Sequence, residues 1–337
     1  MKSIKLITPV VAGAVLAGAL TLSVPMTGAY AESKVKVLRS WPKTLEAIRI
    51  LDHFHEAVEA AGGGDLKLTQ SGPEVVPPLE QLNPVSAGVF DMLFSHGAYH
   101  AGTNGLLMGV DALKVDPVKL RESGLYDFIS KNYEKKHGLK LISLAATGGS
   151  GYHLVLKKPP HPVDGLKGRK IRGTATYHPL IKNLGGSPVV LTFGQMYTAL
   201  EKGVVDGYAF PLYGLRTFKF YEAGAKYVMR PAMGVSKTFT AVNVNAFNKL
   251  PKKHQTAIIE AGKETEIWSI KWFDAYIAQE EKDLRAKGVE YVNYPEKFRP
   301  NIRKWFNEGV LSLVEKYSKA DGIAFVKMAR EKGMVAQ

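Results

Sequence analysis

The 337-residue chain contains no cysteine. It therefore forms no disulfide bond, and it offers no thiolate nucleophile and no cysteine-based metal site. Its stability has to come from burial of apolar groups, and a hydrophobic content of 45% is usual for a globular protein that folds in this way.

Acidic residues are too few to balance the basic ones, since 31 Asp and Glu face 45 Lys and Arg and give a formal net charge of +14. Such a charge can steer anionic ligands toward a cleft, and it is also found in proteins that bind nucleic acid or anionic lipid. The lysines, however, are scattered along the chain and form no basic arm. We therefore interpret the charge as a solubilising surface and expect no nucleic-acid partner.

Long apolar runs are missing everywhere except at the N-terminus. Lys2 and Lys5 precede an almost uncharged stretch over residues 6–24, and the small-x-small pattern Ala29-Tyr30-Ala31 stands just before Glu32. This layout predicts a cleaved secretory signal peptide over residues 1–31, a mature chain that begins near Glu32, and a periplasmic location. The alternative is a transmembrane anchor, because the run approaches the roughly 20 residues that span a bilayer. Pro25 and the small residues before Glu32 favour cleavage.

Strand and helix patterns alternate in two separate blocks, and a long helix follows them. In the first block we predict strands at 35–38, 66–69 and 89–94 and helices at 45–58 and 82–88. In the second we predict strands at 153–156, 170–172, 188–191 and 204–207 and helices at 177–184 and 193–200. Beyond them we predict a strand at 238–245 and helices at 251–287, 296–317 and 320–331.

This order predicts an α/β protein with the two-lobe fold of periplasmic binding proteins, a ligand cleft between the lobes and a long helix that spans both. Lobe I is expected to comprise residues 32–150, with 237–275 returning to it. Lobe II is expected to comprise residues 151–236, with 276–337 packing on it or bridging to it. Ligands of open α/β sheets bind beyond the carboxyl ends of the strands, so two facing lobes can enclose one.

Three motifs carry a resemblance to a known family. They are GLKGRKIR at residues 165–172, LGGSPV at 184–189 and FGQMYTALEKGVVDG at 193–207. In order and spacing they resemble the DctP-type receptors of TRAP transporters, which read LKGLKIR, LGAxPV, a Phe-x-Glu-Val-Tyr helix and ALxxGxVDG.

The resemblance implies a receptor that binds a small organic acid without catalysis or cofactor and delivers it to the membrane subunits of a TRAP permease. Contact with the inner membrane would then occur only through the permease. Two alternatives stay open: a ligand-sensing periplasmic subunit of a signalling system, and a periplasmic enzyme on the same fold.

The resemblance also implies ligand-binding residues. In the family, the arginine at the position of Arg172 grips a carboxylate, which suits a rigid guanidinium. Phe193 and Gln195 begin a short helix whose free amides favour an anion. Further candidates are aromatic residues and one histidine near predicted strand ends: Trp41, His96, Tyr99, Tyr152, Tyr208 and Phe210.

Departures from the family pattern restrict the class of ligand that we expect. Gln195 stands where the family helix usually has Glu, and Ala209 and Phe210 stand where metal-containing keto-acid receptors carry Glu-Trp. Tyr152 falls at the place of a second arginine in sialic-acid receptors. We therefore expect no metal and a more aromatic, less charged pocket for a monocarboxylate with an apolar or aromatic body.

Two other patterns are weaker candidates for chemistry. His96 and His100 have the i, i+4 spacing of a helical zinc site, but Gly97 between them favours a loop. The run Gly148-Gly149-Ser150-Gly151 lacks the lysine of a phosphate loop, so we expect a hinge or cleft turn there.

Overall fold

The structure, a computed structural model, describes residues 32–336. The predicted signal peptide, residues 1–31, lies outside the described residues. Within the described part, no helix combines the length and the apolar character that crossing a bilayer requires.

Eleven strands are found within residues 32–336, in two sheets. They are β1 (Ser33–Arg39), β2 (Leu66–Ser71), β3 (Met92–His96), β4 (Leu139–Ala146), β5 (Tyr152–Leu156), β6 (Lys170–Arg172), β7 (Ser187–Val189), β8 (Gly207–Pro211), β9 (Tyr227–Arg230), β10 (Lys237–Asn243) and β11 (Glu290–Asn293). The first sheet has the order β2-β1-β3-β10-β4, and the second has the order β11-β9-β5-β8-β6-β7. Each sheet with its helices forms one lobe.

The strands whose carboxyl ends line the candidate site are mostly paired in parallel. Strand β1 lies parallel to both β2 and β3, and β6 lies parallel to both β7 and β8. The returning strand β10 is antiparallel to β3 and to β4. As a result, the carboxyl ends of β1 and β3 share one edge of the first sheet, and those of β6 and β8 share one edge of the second.

Ten α-helices surround the sheets within the described residues. They are α1 (Ile48–Gly62), α2 (Leu82–Ser86), α3 (Leu106–Gly109), α4 (Pro117–Glu122), α5 (Leu125–His137), α6 (His178–Asn183), α7 (Met196–Glu201), α8 (Val244–Lys249), α9 (Lys252–Ala286) and α10 (Ile302–Glu331). Short 3-10 helices lie at Pro78–Glu80, Gly97–Tyr99, Val110–Ala112, Ala175–Tyr177, Phe193–Gln195 and Arg299–Asn301.

Helix α9 connects the lobes, as the long apolar pattern predicted. It has 35 residues, or about 52 Å at about 1.5 Å per residue. Its first half packs against α1 and β4 of the first lobe. Near its end, Glu280 accepts a hydrogen bond of 2.7 Å from Nε of Arg216, and Glu281 pairs with Arg230 at the end of β9. Both arginines belong to the second lobe.

Apolar cores lie on both faces of the first sheet because side chains alternate along β1. Val37 belongs to a core with Phe54 of α1 and Phe273 of α9. The next residue, Leu38, belongs to a core with Phe325 of α10. Each core continues into the second lobe.

Two neighbouring chain segments cross between the sheets, residues 147–151 from β4 to β5 and residues 231–236 from β9 to β10. They are joined by hydrogen bonds from Thr147 N to Ser236 O at 3.0 Å and from Tyr152 N to Gly234 O at 2.9 Å. Gly151 has a φ of +67°, and a Cβ there would lie 1.7 Å from the Gly234 oxygen. Glycine is required because both the backbone angle and the close approach exclude a side chain. The Gly-rich run thus forms a crossover between the lobes.

Two predicted strands were misplaced, and one segment that was predicted as two helices is merged. The strand predicted at 89–94 lies at Met92–His96. The strand predicted at 204–207 begins only at Gly207, because Asp206 is held in the preceding turn, where its carboxylate accepts a hydrogen bond of 2.8 Å from Lys170 N. The final helices form a single α10 that is interrupted at Lys319, whose φ of 49° is not helical.

Candidate ligand-binding site

A cavity with an empty volume of about 280 Å³ lies where the strand ends of the two sheets face each other. Its walls come from the residues that end or follow β1, β3, β6 and β8, from β5, and from the residue before β10. The lining residues are Trp41, His96, Tyr99, Tyr152, Arg172, Thr174, Tyr177, Phe210, Pro211, Tyr213 and Ser236. Most of them are aromatic, and Arg172 is the one arginine or lysine among them.

Arg172 ends β6 and is completely buried. Its Nε donates to the carbonyl oxygen of Leu191 at 2.9 Å, and one terminal nitrogen donates to the carbonyl oxygen of Ala209 at 3.3 Å. The other terminal nitrogen, Nη2, is buried and has no hydrogen-bond partner among the described residues. The two carbonyls therefore fix the plane of the guanidinium and leave one N–H edge free.

No carboxylate within residues 32–336 forms an ion pair with Arg172. Burial consequently lowers its pKa, and the neighbouring Tyr99 and Tyr177 hydroxyls offset part of that effect. The ring of Phe210 lies 5.8 Å from the guanidinium carbon, which is close enough for a cation–π contact. A buried cation without an anionic partner is costly unless a bound anion supplies one.

The first lobe contributes the Trp41–Tyr99 pair to the opposite wall. Trp41 follows β1, and Tyr99 lies in the short helix after β3. The indole Nε1 of Trp41 donates to the Tyr99 hydroxyl at 2.9 Å, and the two rings are 5.6 Å apart. Burial raises the pKa of Tyr99, while the nearby Arg172 and Trp41 oppose that shift. The Tyr99 phenol is thus a neutral group close to the guanidinium.

A second polar cluster joins the lobes through Asp111, His96 and Tyr152. The Tyr152 hydroxyl donates to Asp111 Oδ2 at 2.9 Å, and His96 Nε2 lies 2.6 Å from the Tyr152 oxygen and 3.1 Å from Asp111 Oδ2. His96 Nδ1 accepts a hydrogen bond of 3.1 Å from Ala98 N, so Nε2 carries the ring hydrogen. Both ring nitrogens of His96 are therefore occupied within the protein.

Lys237 compensates the charge of Asp111. Its backbone N–H donates to Asp111 Oδ1 at 3.2 Å, and its Nζ donates to the carbonyl oxygens of Val110 and Leu113, each at 2.8 Å. Burial lowers the pKa of Lys237 to about 8, against the attraction of Asp111. The Lys237 ammonium group thus has hydrogen-bond acceptors within the protein, whereas Nη2 of Arg172 has none among the described residues.

Six of the nine predicted site residues meet around this cavity: Trp41, His96, Tyr99, Tyr152, Arg172 and Phe210. Phe193 and Tyr208 do not line it. Phe193 packs behind Phe210 with ring centroids 5.2 Å apart, and Tyr208 packs against Phe220 at 5.4 Å. Gln195 is exposed, and its side chain caps the helix start by accepting from Thr192 N at 2.9 Å.

Five lining residues were not named from the sequence: Thr174, Tyr177, Pro211, Tyr213 and Ser236. Four of them follow Arg172 or Phe210 by one to five positions, at the end of β8 or in the segments after β6 and β8. A search of the residues just beyond Arg172 and Phe210 would have found them. Ser236 lies in the crossover before β10, and no local pattern marks it.

Within 32–336, no group of three or more His, Asp or Glu side chains is arranged to hold an ion. At the place where Glu-Trp would stand in metal-containing relatives, Ala209 offers only a methyl group, and its carbonyl accepts from Arg172.

Comparison with known proteins assigns a family. The model of DctP, bacterial extracellular solute-binding protein, family 7, matches residues 114–319. A monocarboxylate 2-oxoacid-binding periplasmic protein of Nostoc sp. is 26% identical over 286 residues, which are 80% of this chain and 76% of that protein.

Solved structures share the fold. A TRAP periplasmic solute-binding protein from Desulfovibrio salexigens with bound orotic acid matches with a TM-score of 0.75 at 22% identity, covering 89% of this chain and 98% of that one. A Bordetella pertussis extracytoplasmic solute receptor binding pyroglutamic acid matches with a TM-score of 0.73 at 19% identity, covering 88% and 99%. Since the family model covers more than half of the sequence, the chain belongs to the DctP family of bacterial extracellular solute-binding proteins, which are receptors and not enzymes.

Proposed function

We propose that the chain is the extracytoplasmic receptor of a TRAP transporter for a small organic acid with one carboxylate, which Arg172 binds. The observation that carries the proposal is the buried guanidinium with one unpartnered N–H edge. A carboxylate fits that edge because it accepts short, charge-assisted hydrogen bonds from a guanidinium. It would also provide the negative charge that the protein itself does not place beside Arg172.

The body of the ligand is proposed to be apolar or aromatic. Aromatic rings contribute most of the cavity wall, from Trp41, Tyr99, Tyr152, Tyr177 and Phe210. Such a wall suits a compact acid whose carbon skeleton lies against the rings.

The charge balance favours a single carboxylate. Arg172 is the one lysine or arginine in the cavity wall, and its Nη2 has no hydrogen-bond partner among residues 32–336. The nearby Lys237 lies outside the wall, bonds two carbonyl oxygens and faces Asp111. A second carboxylate would have to lie among phenol rings or near Asp111, where no cation stabilises it. The relatives in Nostoc, Desulfovibrio and Bordetella are named for monocarboxylates or for ring acids, which is consistent with this proposal.

A thermal-shift panel tests the ligand class. We expect at least one of pyroglutamate, orotate, phenylacetate, 4-methyl-2-oxopentanoate and galactonate to raise the melting temperature, because a ligand at about 100 times its Kd stabilises the fold by about 2.7 kcal/mol. That stabilisation corresponds to a shift of about 5 °C in a chain of this size.

The primary amides of the same acids are the matched controls, because they keep the body of the ligand and lose its charge. Succinate and malate test the preference for one carboxylate. Equal shifts with acid and amide, or no shift with any acid, would contradict the proposal. A larger shift with a dicarboxylate would contradict the single-anion assignment only.

Delivery to a permease is proposed from the family and is tested separately. The receptor is expected to support uptake of the panel acid by proteoliposomes that contain TRAP membrane subunits encoded beside it. Uptake that does not depend on the receptor, together with copurification of a sensor kinase, would favour a signalling subunit instead. N-terminal sequencing of the exported protein, expected to begin near Glu32, tests the proposed signal peptide.

A further inference from the structure

The hydrogen bond between Trp41 and Tyr99 determines what the Tyr99 hydroxyl can do. An indole N–H is a donor only, so the Tyr99 oxygen accepts at the observed 2.9 Å. The charged group beside that oxygen is Arg172, which also has only donors. Neither Trp41 nor Arg172 can therefore accept the hydrogen of the phenol.

The hydrogen of the Tyr99 hydroxyl is consequently left to donate elsewhere. Among the hydrogen bonds of residues 32–336, the hydroxyl forms the one with Trp41 and has no acceptor of its own. Tyr99 lines the same cavity as Arg172. Its O–H group and the free Nη2 of Arg172 are thus two donors that reach one space and lack an acceptor.

We propose that Tyr99 is the second donor to the carboxylate and that Trp41 is a positioning residue that sets the direction of the Tyr99 hydroxyl. This inference rests on the proposed function of Arg172 as the carboxylate site. Arg172 ends β6 of the second lobe, whereas Trp41 and Tyr99 follow β1 and β3 of the first. One carboxylate therefore links the two lobes by accepting from both.

Two other phenols of the cavity wall, those of Tyr152 and Tyr213, differ from Tyr99 in this respect. The Tyr152 hydroxyl donates to Asp111 and lies beside His96 Nε2. The Tyr213 hydroxyl lies beside the hydroxyls of Ser236 and Thr147. Each of them already has a protein partner. Tyr294→Phe is the matched control, because it removes a buried phenol oxygen of the second lobe that does not line the cavity.

The test measures affinity by calorimetry, with the panel acid that gives the largest thermal shift. Tyr99→Phe is expected to weaken binding about 10- to 100-fold, the usual effect of losing a hydrogen bond to a charged group. Tyr294→Phe is expected to change affinity less than about threefold. In stopped-flow fluorescence, Tyr99→Phe should raise the dissociation rate and leave the association rate nearly unchanged, because Arg172 still captures the acid.

A double-mutant cycle separates the positioning role of Trp41 from simple packing. Trp41→Phe alone is expected to weaken binding about fivefold to tenfold. If Trp41 acts through the Tyr99 hydroxyl, adding Trp41→Phe to Tyr99→Phe should cost less than about twofold more. If Trp41 only packs against the acid, the two losses should multiply, and the positioning role is then wrong.

The outcomes distinguish this inference from the proposed function. Weak binding by Arg172→Lys together with wild-type binding by Tyr99→Phe, or equal losses in Tyr99→Phe and Tyr294→Phe, would reject the role of Tyr99 and leave the carboxylate site in place. Full affinity in both Arg172→Lys and Tyr99→Phe would reject both. No binding of any panel acid by the wild-type protein would do the same.

Discussion

Replacing Arg172 by alanine is expected to weaken binding of the panel acid by at least about 100-fold, or about 3 kcal/mol. The variant loses the one free N–H edge in the cavity and the one positive charge in its wall that has no anionic partner. The carboxylate would then be buried against aromatic rings without compensation, and that costs more than the hydrogen bonds alone. Isothermal titration calorimetry measures the change directly.

Two further variants show whether the loss comes from the carboxylate site or from damage to the fold. Arg172→Lys keeps the charge but loses the planar fork, so we expect an intermediate loss of about tenfold or more. Lys170→Gln removes one charge from the exposed part of the same strand and should leave affinity within about twofold. Wild-type affinity in Arg172→Ala, in a variant that unfolds cooperatively without ligand, would contradict the proposed function.

The contrast between Arg172 and Lys237 explains why the arginine is the better candidate for ligand binding. Both cations are buried next to the cavity region. Lys237 has two carbonyl acceptors and a carboxylate nearby, so its environment is complete. Arg172 has two carbonyl acceptors and no carboxylate, and one of its nitrogens is unpartnered. The proposed acid would supply the missing negative charge at Arg172.

Much of the fold was predictable because local patterns agree with the tertiary structure. Helix α1 shows an apolar face at helical spacing and ends at Gly63 with a φ of +75°. Helix α9 was predicted to within about one residue at each end, since Pro251 marks its start. By contrast, β4 was not predicted. All but one of its eight residues are buried, so it lacks the alternation that identifies a half-exposed strand.

The candidate site was predictable only where its residues end strands. Arg172, Phe210 and His96 stand at or near the carboxyl ends of β6, β8 and β3, and the topology brings such ends together. Gln195 shows the opposite case. Its place in the motif pointed to the ligand, but a residue three positions after Thr192 is also the partner in a capping box, and that is its contact in the structure.

Tertiary contacts set the rest of the site, and no local pattern reports them. The Asp111 carboxylate lies beside the His96 ring and accepts a hydrogen bond from the Tyr152 hydroxyl, although neither residue is close to Asp111 in sequence. The sequence gives no reason to pair these residues, because β5 and the segment around Asp111 meet only after the two lobes have packed. The direction of the Tyr99 hydroxyl depends in the same way on Trp41, which is 58 positions away.

Acidification is expected to destabilise the fold through two histidines that are buried in the neutral form. Burial lowers the pKa of His100 and that of His153 to about 3 each, from 6.5. Below pH 6.5 the two histidines are therefore protonated in the unfolded chain but still neutral in the folded chain. The stability they contribute is complete above pH 6.5 and is lost as the pH falls toward 3. Each histidine should lower the free energy of unfolding by about 1.4 kcal/mol for each unit by which the pH falls, or by about 4 kcal/mol over about three units.

The comparison of His153→Gln with the wild type isolates one of these protons. Glutamine can still donate to the Met229 carbonyl and accept from Arg230, as the imidazole does at 3.2 Å and 3.3 Å, but it does not titrate. Urea unfolding from neutral pH to about pH 4 should show a slope that is shallower by about 1.4 kcal/mol per pH unit in the variant. Burial raises the pKa of Glu266 and of Glu280, and these carboxyls therefore change stability with pH in the direction opposite to the histidines. Their effect is the same in the wild type and the variant, so it cancels when the two slopes are subtracted. The matched control for the substitution is His161→Gln, because His161 is exposed. If the unfolding free energy of His153→Gln depends on pH as steeply as that of the wild type, His153 accepts its proton in the folded protein and the prediction is wrong.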